Sequence, residues 1–150
     1  MAYTHQRTEI KMLGTAGTEV VLASSTAGSI KARHVFKERS VLRKFVAYPL
    51  VIGVTAAKPA FQLRKVTGPA STTATGTAIT GGTLSFPATQ PVGKLVLNES
   101  LHTTFDPGDH LVVAIGTAAT KAFTTRMSAF VEPSWERPAN TASKVSTVTA

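Results

Sequence analysis

The sequence predicts an all-β protein, and three observations support that fold class. Short segments of alternating apolar and polar residues recur along the chain, and turn signals rich in Gly and Pro separate them every ~8–12 residues. The composition is 43% apolar and only 16% charged, and Thr, Ala, Gly and Val are frequent. No segment has a helical pattern long enough to cover a sheet. We therefore expect a single domain of 150 residues built as an antiparallel β-sandwich or barrel.

The first half of the chain predicts an arm and four strands. Residues 1–17 are polar and indicate an N-terminal arm that becomes ordered only on a partner. Strands are predicted over 18–23, 29–36, 45–54 and 60–66. Residues 37–44 are ambiguous, because their residue types suit a helical turn, with Leu42 and Phe45 three positions apart, but the segment can equally connect two strands.

The strand over 45–54 has two distinct faces. Its even positions form an apolar row: Val46, Tyr48, Leu50, Ile52 and Val54. Because this row is the more regular one, we expect Tyr48 to point into the core. Pro49 lies on the other face and cannot donate a ladder hydrogen bond, which predicts an edge or bulged position.

The second half predicts hairpins and ends in a tail. Gly81 and Gly82 separate two short β segments and indicate a hairpin turn. A strand is expected over 94–98, and a type II turn at Asp106–Asp109, with Pro and Gly at its centre, precedes the strands over 111–115 and 123–131. The sandwich domain accordingly extends over 18–138, and 139–150 form a flexible C-terminal tail.

The net charge is concentrated in the first part of the chain. The sequence has 16 basic and 8 acidic residues, which gives a formal net charge of +8. Residues 1–65 contain 11 of the basic and 3 of the acidic residues, whereas the remainder is neutral. A localised excess of this kind indicates a face that meets an acidic partner, since an evenly spread charge would bear only on solubility.

The candidate partner-binding residues follow from this charge. Six of them form what we call the basic cluster: Lys31, Arg33, Lys37, Arg39, Arg43 and Lys44. Arg7 and Lys11 of the arm complete the set. Three interpretations stay open: a solvated strand face, an interface with an acidic protein surface, and a site for single-stranded nucleic acid, because aromatic residues are interleaved with the cations.

The sequence offers little catalytic chemistry. It has no Cys, which excludes disulfides and thiolate metal sites. A metal site could be built from His102, Asp106, Asp109 and His110, but a polar turn explains the two aspartates better. No nucleophile motif, phosphate loop with its Lys, or membrane-length apolar segment is present, so we expect no enzyme, no cofactor, no small-molecule substrate and no membrane partner.

A family resemblance enters through the C-terminal strands. The segments Phe105-Asp-Pro-Gly-Asp-His-Leu-Val-Val-Ala-Ile115 and Lys121-Ala-Phe-Thr-Thr-Arg-Met-Ser-Ala-Phe-Val131 resemble those of small decoration (cement) proteins of tailed-phage capsids. The resemblance extends over about residues 20–133 and is one of composition and turn style. It implies a jelly-roll-like fold and a location on the capsid exterior, but transfers no site residues.

The resemblance also implies partners and a mechanism. Such proteins bind the major capsid protein, commonly as dimers or trimers, and clamp neighbouring subunits together. We therefore expect a structural virion protein whose basic cluster and arms meet acidic capsid groups. Two alternatives remain: a tail, neck or fibre component with the same sandwich, and a nucleic-acid-binding β-barrel.

Overall fold

The computed structural model describes residues 7–12, 20–21, 27–52, 60–71, 73–86, 95–117 and 123–133. These ranges contain β1 (Thr8–Met12), β2 (Val20–Val21), β3 (Ile30–Val35), β4 (Ser40–Ile52), β5 (Ala60–Val66), β6 (Thr77–Ser85), β7 (Val96–Asn98), β8 (Thr103–Phe105), β9 (His110–Thr117) and β10 (Phe123–Pro133). This part of the chain contains no helix, and hence none with the length and apolarity needed to cross a membrane.

The strands form two antiparallel sheets that pack together. The first sheet has the order β1-β10-β4-β7, with β2 beside β10 and β8 beside β4. The second sheet has the order β3-β9-β5-β6. Between the sheets lies one apolar core, in which four aromatic side chains are fully buried: Phe45, Phe61, Phe86 and Phe105. The predicted all-β sandwich is confirmed, whereas the jelly-roll connectivity stays a prediction.

The ambiguous segment 37–44 leads into a bulged strand. Phe130 of β10 pairs with Lys44, and the next residue, Val131, pairs with Leu42, so Arg43 is the extra residue of a β-bulge. Because the bulge inserts one residue, Leu42 and Phe45 both point into the core although they are three positions apart. The spacing that suggested a helical turn therefore results from this bulge.

A second irregularity in β4 confirms the expectation for Pro49. The pairing with β10 skips Leu50, so the strand is bulged beside the proline. The prediction for the neighbouring Tyr48 is wrong: Ala47 and Pro49 are buried, and Tyr48 is 40% exposed. Both faces of this segment are apolar, so hydropathy alone does not distinguish them, and packing against the second sheet selects the odd positions.

The predicted turn at Asp106–Asp109 is present. The Asp109 N–H donates to the carbonyl of Asp106 at 2.9 Å, and Gly108 has a φ of 93°. The chain continues into β9, where Leu111, Val113 and Ile115 belong to the core and Val112 and Ala114 on the opposite face are buried too. Strand β9 is therefore covered on both sides.

The predicted hairpin at Gly81 and Gly82 is wrong. Strand β6 continues through both glycines, and its two halves pair with the same strand, β5. The four residues 79–82 lie opposite the single residue Leu63, so the pairing is interrupted there. Gly81 has a φ of 72°, so the glycines allow a local excursion of the chain instead of a reversal.

The predicted N-terminal arm also differs from the structure. Residues 8–12 form strand β1, which pairs with β10 along its full length. Met12 is buried in the core and Ile10 packs against it, because every second residue of the strand faces the second sheet. The rest of the arm, residues 1–6 and 13–17, lies outside the described residues, as does the tail over 139–150.

Candidate interaction surfaces

The basic cluster does not form one face. Lys31 and Arg33 lie on β3 in the second sheet, whereas Arg43 and Lys44 lie on β4 in the first. The bend between these strands holds the remaining two members, Lys37 and Arg39. Because the chain changes sheets within the cluster, residues that are neighbours in sequence point in different directions.

Arg33 makes its polar contacts within the second sheet and with the loop after β5. Arg33 on β3 and Arg64 on β5 are both register partners of Val112 on β9, which lies between them. The guanidinium of Arg33 lies 2.6 Å from His110 Nδ1 and donates to the carbonyl of Ala74 in the loop after β5. A guanidinium only donates, so His110 accepts at Nδ1 and carries its proton on Nε2. Arg33 therefore fastens this loop over β9.

Burial lowers the pKa of His110, and the positive charge of Arg33 lowers it further, although Asp109 acts in the opposite direction. The pKa of His34 is also lowered, mainly by burial and to a lesser extent by Lys37. The His34 ring packs edge-on against Phe36, with 4.8 Å between the ring centroids. The fold thus favours the neutral form of both histidines.

Arg7 and Arg43 form a clamp around the buried carboxylate of Glu132. Arg7 Nε donates to Oε1 at 3.1 Å, and Arg43 Nε donates to Oε2 at 3.2 Å. Burial raises the pKa of Glu132, but the two hydrogen-bonded arginines outweigh that effect and lower it overall. Arg43 also contacts His102 Nδ1. The clamp joins the start of β1, the bulge of β4 and the end of β10.

Two further members of the basic cluster have acidic partners within the chain. Arg39 forms an ion pair with Asp106 at 3.3 Å, and Lys44 forms one with Glu99 at 3.2 Å. The ammonium of Lys44 also lies 5.6 Å from the centre of the Phe130 ring. These groups therefore contribute little net positive charge to the surface.

Three of the eight candidate cations have no side-chain partner among the described residues: Lys11, Lys31 and Lys37. Lys31 lies at the start of β3, and Lys37 follows the end of that strand, where Val35 is 44% exposed. Lys11 is exposed on β1, at the edge of the other sheet. The sequence-predicted set of eight candidates thus reduces to Lys31 and Lys37, on and beside β3 of the second sheet, and Lys11 on β1 of the first.

Of the four candidate metal ligands, Asp106 and Asp109 belong to the turn before β9. Asp109 accepts the N–H of Gly68 at 2.9 Å and the N–H of Asp106 at 2.8 Å, and Lys65 Nζ lies 3.7 Å away. Within the described ranges, no three His, Asp or Glu side chains are placed to hold a metal ion. Both carboxylate oxygens of Asp109 therefore accept backbone N–H groups, as expected for an aspartate that stabilises a turn.

An exposed apolar surface lies on the outer face of the first sheet, and the sequence analysis missed it. It consists of four side chains on and beside β4 and β7, which we call the apolar quartet: Val46, Tyr48, Leu95 and Leu97. Val46 pairs directly with Leu97. The alternation of Leu95, Val96 and Leu97 was visible in the sequence, but only the second sheet shows that Val96 is the inward residue.

Comparison with protein-family models, characterised proteins and solved structures finds no match to this chain.

Proposed function

We propose that this protein is a structural, non-enzymatic virion protein that decorates the outside of a tailed-phage capsid and cements neighbouring major capsid subunits. An antiparallel sandwich is the kind of fold that the sequence resemblance implies. The internal ion pairs support the proposal further, because Glu132 of β10 connects the start of the edge strand β1 with β4 through Arg7 and Arg43. A rigid body of this kind suits a protein that transmits force between subunits.

The observation that carries the proposal is the pair of lysines on and beside β3. Lys31 at the start of the strand and Lys37 just after its end have no ion-pair partner in the described part of the chain, and Val35, the last residue of the strand, is 44% exposed. Unpaired cations together with an exposed apolar side chain suit an acidic protein surface that also offers an apolar contact. A single exposed ion pair contributes less than about 1 kcal/mol, but many copies on a lattice bind cooperatively through multivalency.

The test is a charge reversal at this surface. Particles of the source phage that lack this protein are incubated with the purified chain, and bound copies per shell subunit are measured after sedimentation. We expect Lys31→Glu with Lys37→Glu to weaken binding about tenfold or more, because two attractions become repulsions. Lys11→Glu makes one such charge reversal on the other sheet and should leave occupancy unchanged.

Three results would count against this proposal. Undiminished occupancy of the double variant would exclude the β3 surface as the docking site. A stoichiometry of only a few copies per particle would contradict decoration and indicate a tail or neck component instead. Tight binding to a generic oligonucleotide that falls steeply with salt would favour the nucleic-acid alternative.

A further inference from the structure

The outer face of the first sheet has an ordered arrangement of side chains around the apolar quartet. The register places Val46 opposite Leu97, and the next pair of outward residues on one side is Lys44 and Glu99, which form an ion pair. Continuing the same register by one residue on the other side places Tyr48 opposite Leu95. The strip formed by β4 and β7 therefore has three rows, one charged and two apolar.

The exposed large apolar side chains of the described residues are concentrated in this strip. Among the described residues, four large hydrophobic side chains are exposed, and three of them belong to the quartet: Tyr48 at 40%, Leu95 at 50% and Leu97 at 46%. Single exposed apolar residues are common on soluble proteins, but a contiguous group indicates an interaction site. A partner of this strip must match its two apolar rows and its charged row.

We infer that the strip is an interface between two copies of this chain, related by a two-fold axis that runs parallel to β4 and β7 and between them. This axis places β4 of one copy over β7 of the other with the register unchanged. Val46 then faces the partner's Leu97, and Tyr48 faces the partner's Leu95. The apolar rows of the two copies cover each other, as a two-fold interface requires.

The charged row supports the same symmetry. The axis places Lys44 over the partner's Glu99, and Glu99 over the partner's Lys44. Each ammonium would then have two carboxylate neighbours, one in its own chain at 3.2 Å and one across the interface. The strip is thus self-complementary in charge as well as in apolar character, and near-parallel strands match the aligned packing of stacked sheets.

The size of the strip determines the strength of the contact. Four apolar side chains and one ion pair per copy bury less than the ~1,200 Å² typical of stable complexes. Association in solution is therefore weak and depends on concentration, and it strengthens when copies are held side by side on a larger assembly. The inference goes beyond the proposed function and stands without it, because it requires no capsid.

The first test compares two matched substitutions by sedimentation velocity over a dilution series of the full chain. Leu97→Asp places a carboxylate at the centre of the strip, and we expect it to raise the dimer dissociation constant on the order of 100-fold. Val35→Asp makes the same change at an exposed position away from the strip and should leave self-association unchanged. Circular dichroism verifies that both variants are folded.

The second test uses charge exchange between copies. Lys44→Glu makes the charged row wholly acidic and Glu99→Lys makes it wholly basic, so each variant alone should associate more weakly than the wild type. Their mixture should restore association, because the acidic row of one variant then faces the basic row of the other.

Three outcomes would overturn the inference: a wild type that is monomeric at millimolar concentration, self-association that Leu97→Asp leaves unchanged, or a mixture that associates no better than its components. None of them affects the capsid experiment, which depends on Lys31 and Lys37.

Discussion

Gly68 has space for a hydrogen atom at its α-carbon and for nothing larger. A Cβ at this position would overlap the carbonyl oxygen of Gly108. The N–H of Gly68 donates to the carboxylate of Asp109. The loop after β5 and the turn before β9 are thus held in direct backbone contact. Nothing in the sequence distinguishes Gly68 or Gly108 from the many other glycines of the chain.

We predict that Gly68→Ala lowers the free energy of unfolding by about 3 kcal/mol, because the backbone of one of the two loops must move. Gly116→Ala is the matched control, since its Cβ would have only ordinary contacts, at 3.5 Å or more, with Ala60. We expect the control to change stability by less than about 0.5 kcal/mol. Urea denaturation of both variants measures the difference, and equal stabilities would contradict the prediction.

At the scale of single residues, turn chemistry was readable from the sequence and side-chain partners were not. The Asp106–Asp109 turn follows from local rules, because Pro and Gly set its backbone angles. The role of Asp109 does not, since Gly68 is distant in sequence. Arg33 was assigned to an external partner for the same reason: its contacts with Ala74 and His110 appear only when the loop and β9 meet.

At the scale of elements, β1 is the main departure from the sequence analysis. The segment is short and polar at three of its five positions, which is typical of an arm. It forms a strand because β10 presents an edge for pairing and the core accepts Met12. The energy that orders the segment therefore comes from its neighbours and not from its own propensity.

Adjacent substitutions in β1 distinguish a strand from an arm. We predict that Met12→Asp lowers the free energy of unfolding by about 3 kcal/mol or more, because a carboxylate would enter the apolar core. Lys11→Asp on the exposed side should change it by less than about 0.5 kcal/mol. Thermal or urea unfolding measures both, and a mild effect of Met12→Asp would show that the segment does not pack as described.

The bulge at Arg43 shows why element boundaries were hard to read. Leu42 and Phe45 have helical spacing, yet the pairing of β4 with β10 makes them neighbours on one strand face. A bulge changes the parity of a strand, so apolar residues before and after it follow different alternations. Periodicity in the sequence therefore predicted β4 only after this bulge, from residue 45 onwards.

At the scale of the whole molecule, the neutral form of the histidines makes stability depend on pH. The pKa values of His34 and His110 lie below their usual value of 6.5 in the folded protein, mainly because of burial. As the pH falls, the histidines of the unfolded chain therefore take up protons before those of the folded protein do. The contribution of the two neutral histidines to the free energy of unfolding is complete above pH 6.5 and is lost as the pH falls from 6.5 through their lowered pKa values. Glu132 adds a second loss below its usual value of 4.5.

We predict that the free energy of unfolding decreases as the pH falls from about 7.5 to about 5, and that His110→Asn makes this decrease shallower. Asn retains an oxygen that can accept from Arg33 but does not titrate in this range. Urea denaturation at several pH values measures both slopes. Parallel curves for the variant and the wild type would contradict the prediction.

The sequence by itself determined the fold class, most strand positions and the excess of positive charge, because alternation, turn residues and composition are local properties. Only the tertiary structure decided which strand face is buried, that β1 joins the sheet, and that most of the basic cluster is paired within the chain. These outcomes depend on contacts such as Arg43 with Glu132, which are 89 residues apart. The apolar quartet could likewise be recognised only in the structure, since a strand face is defined as outer only once the opposing sheet is in place.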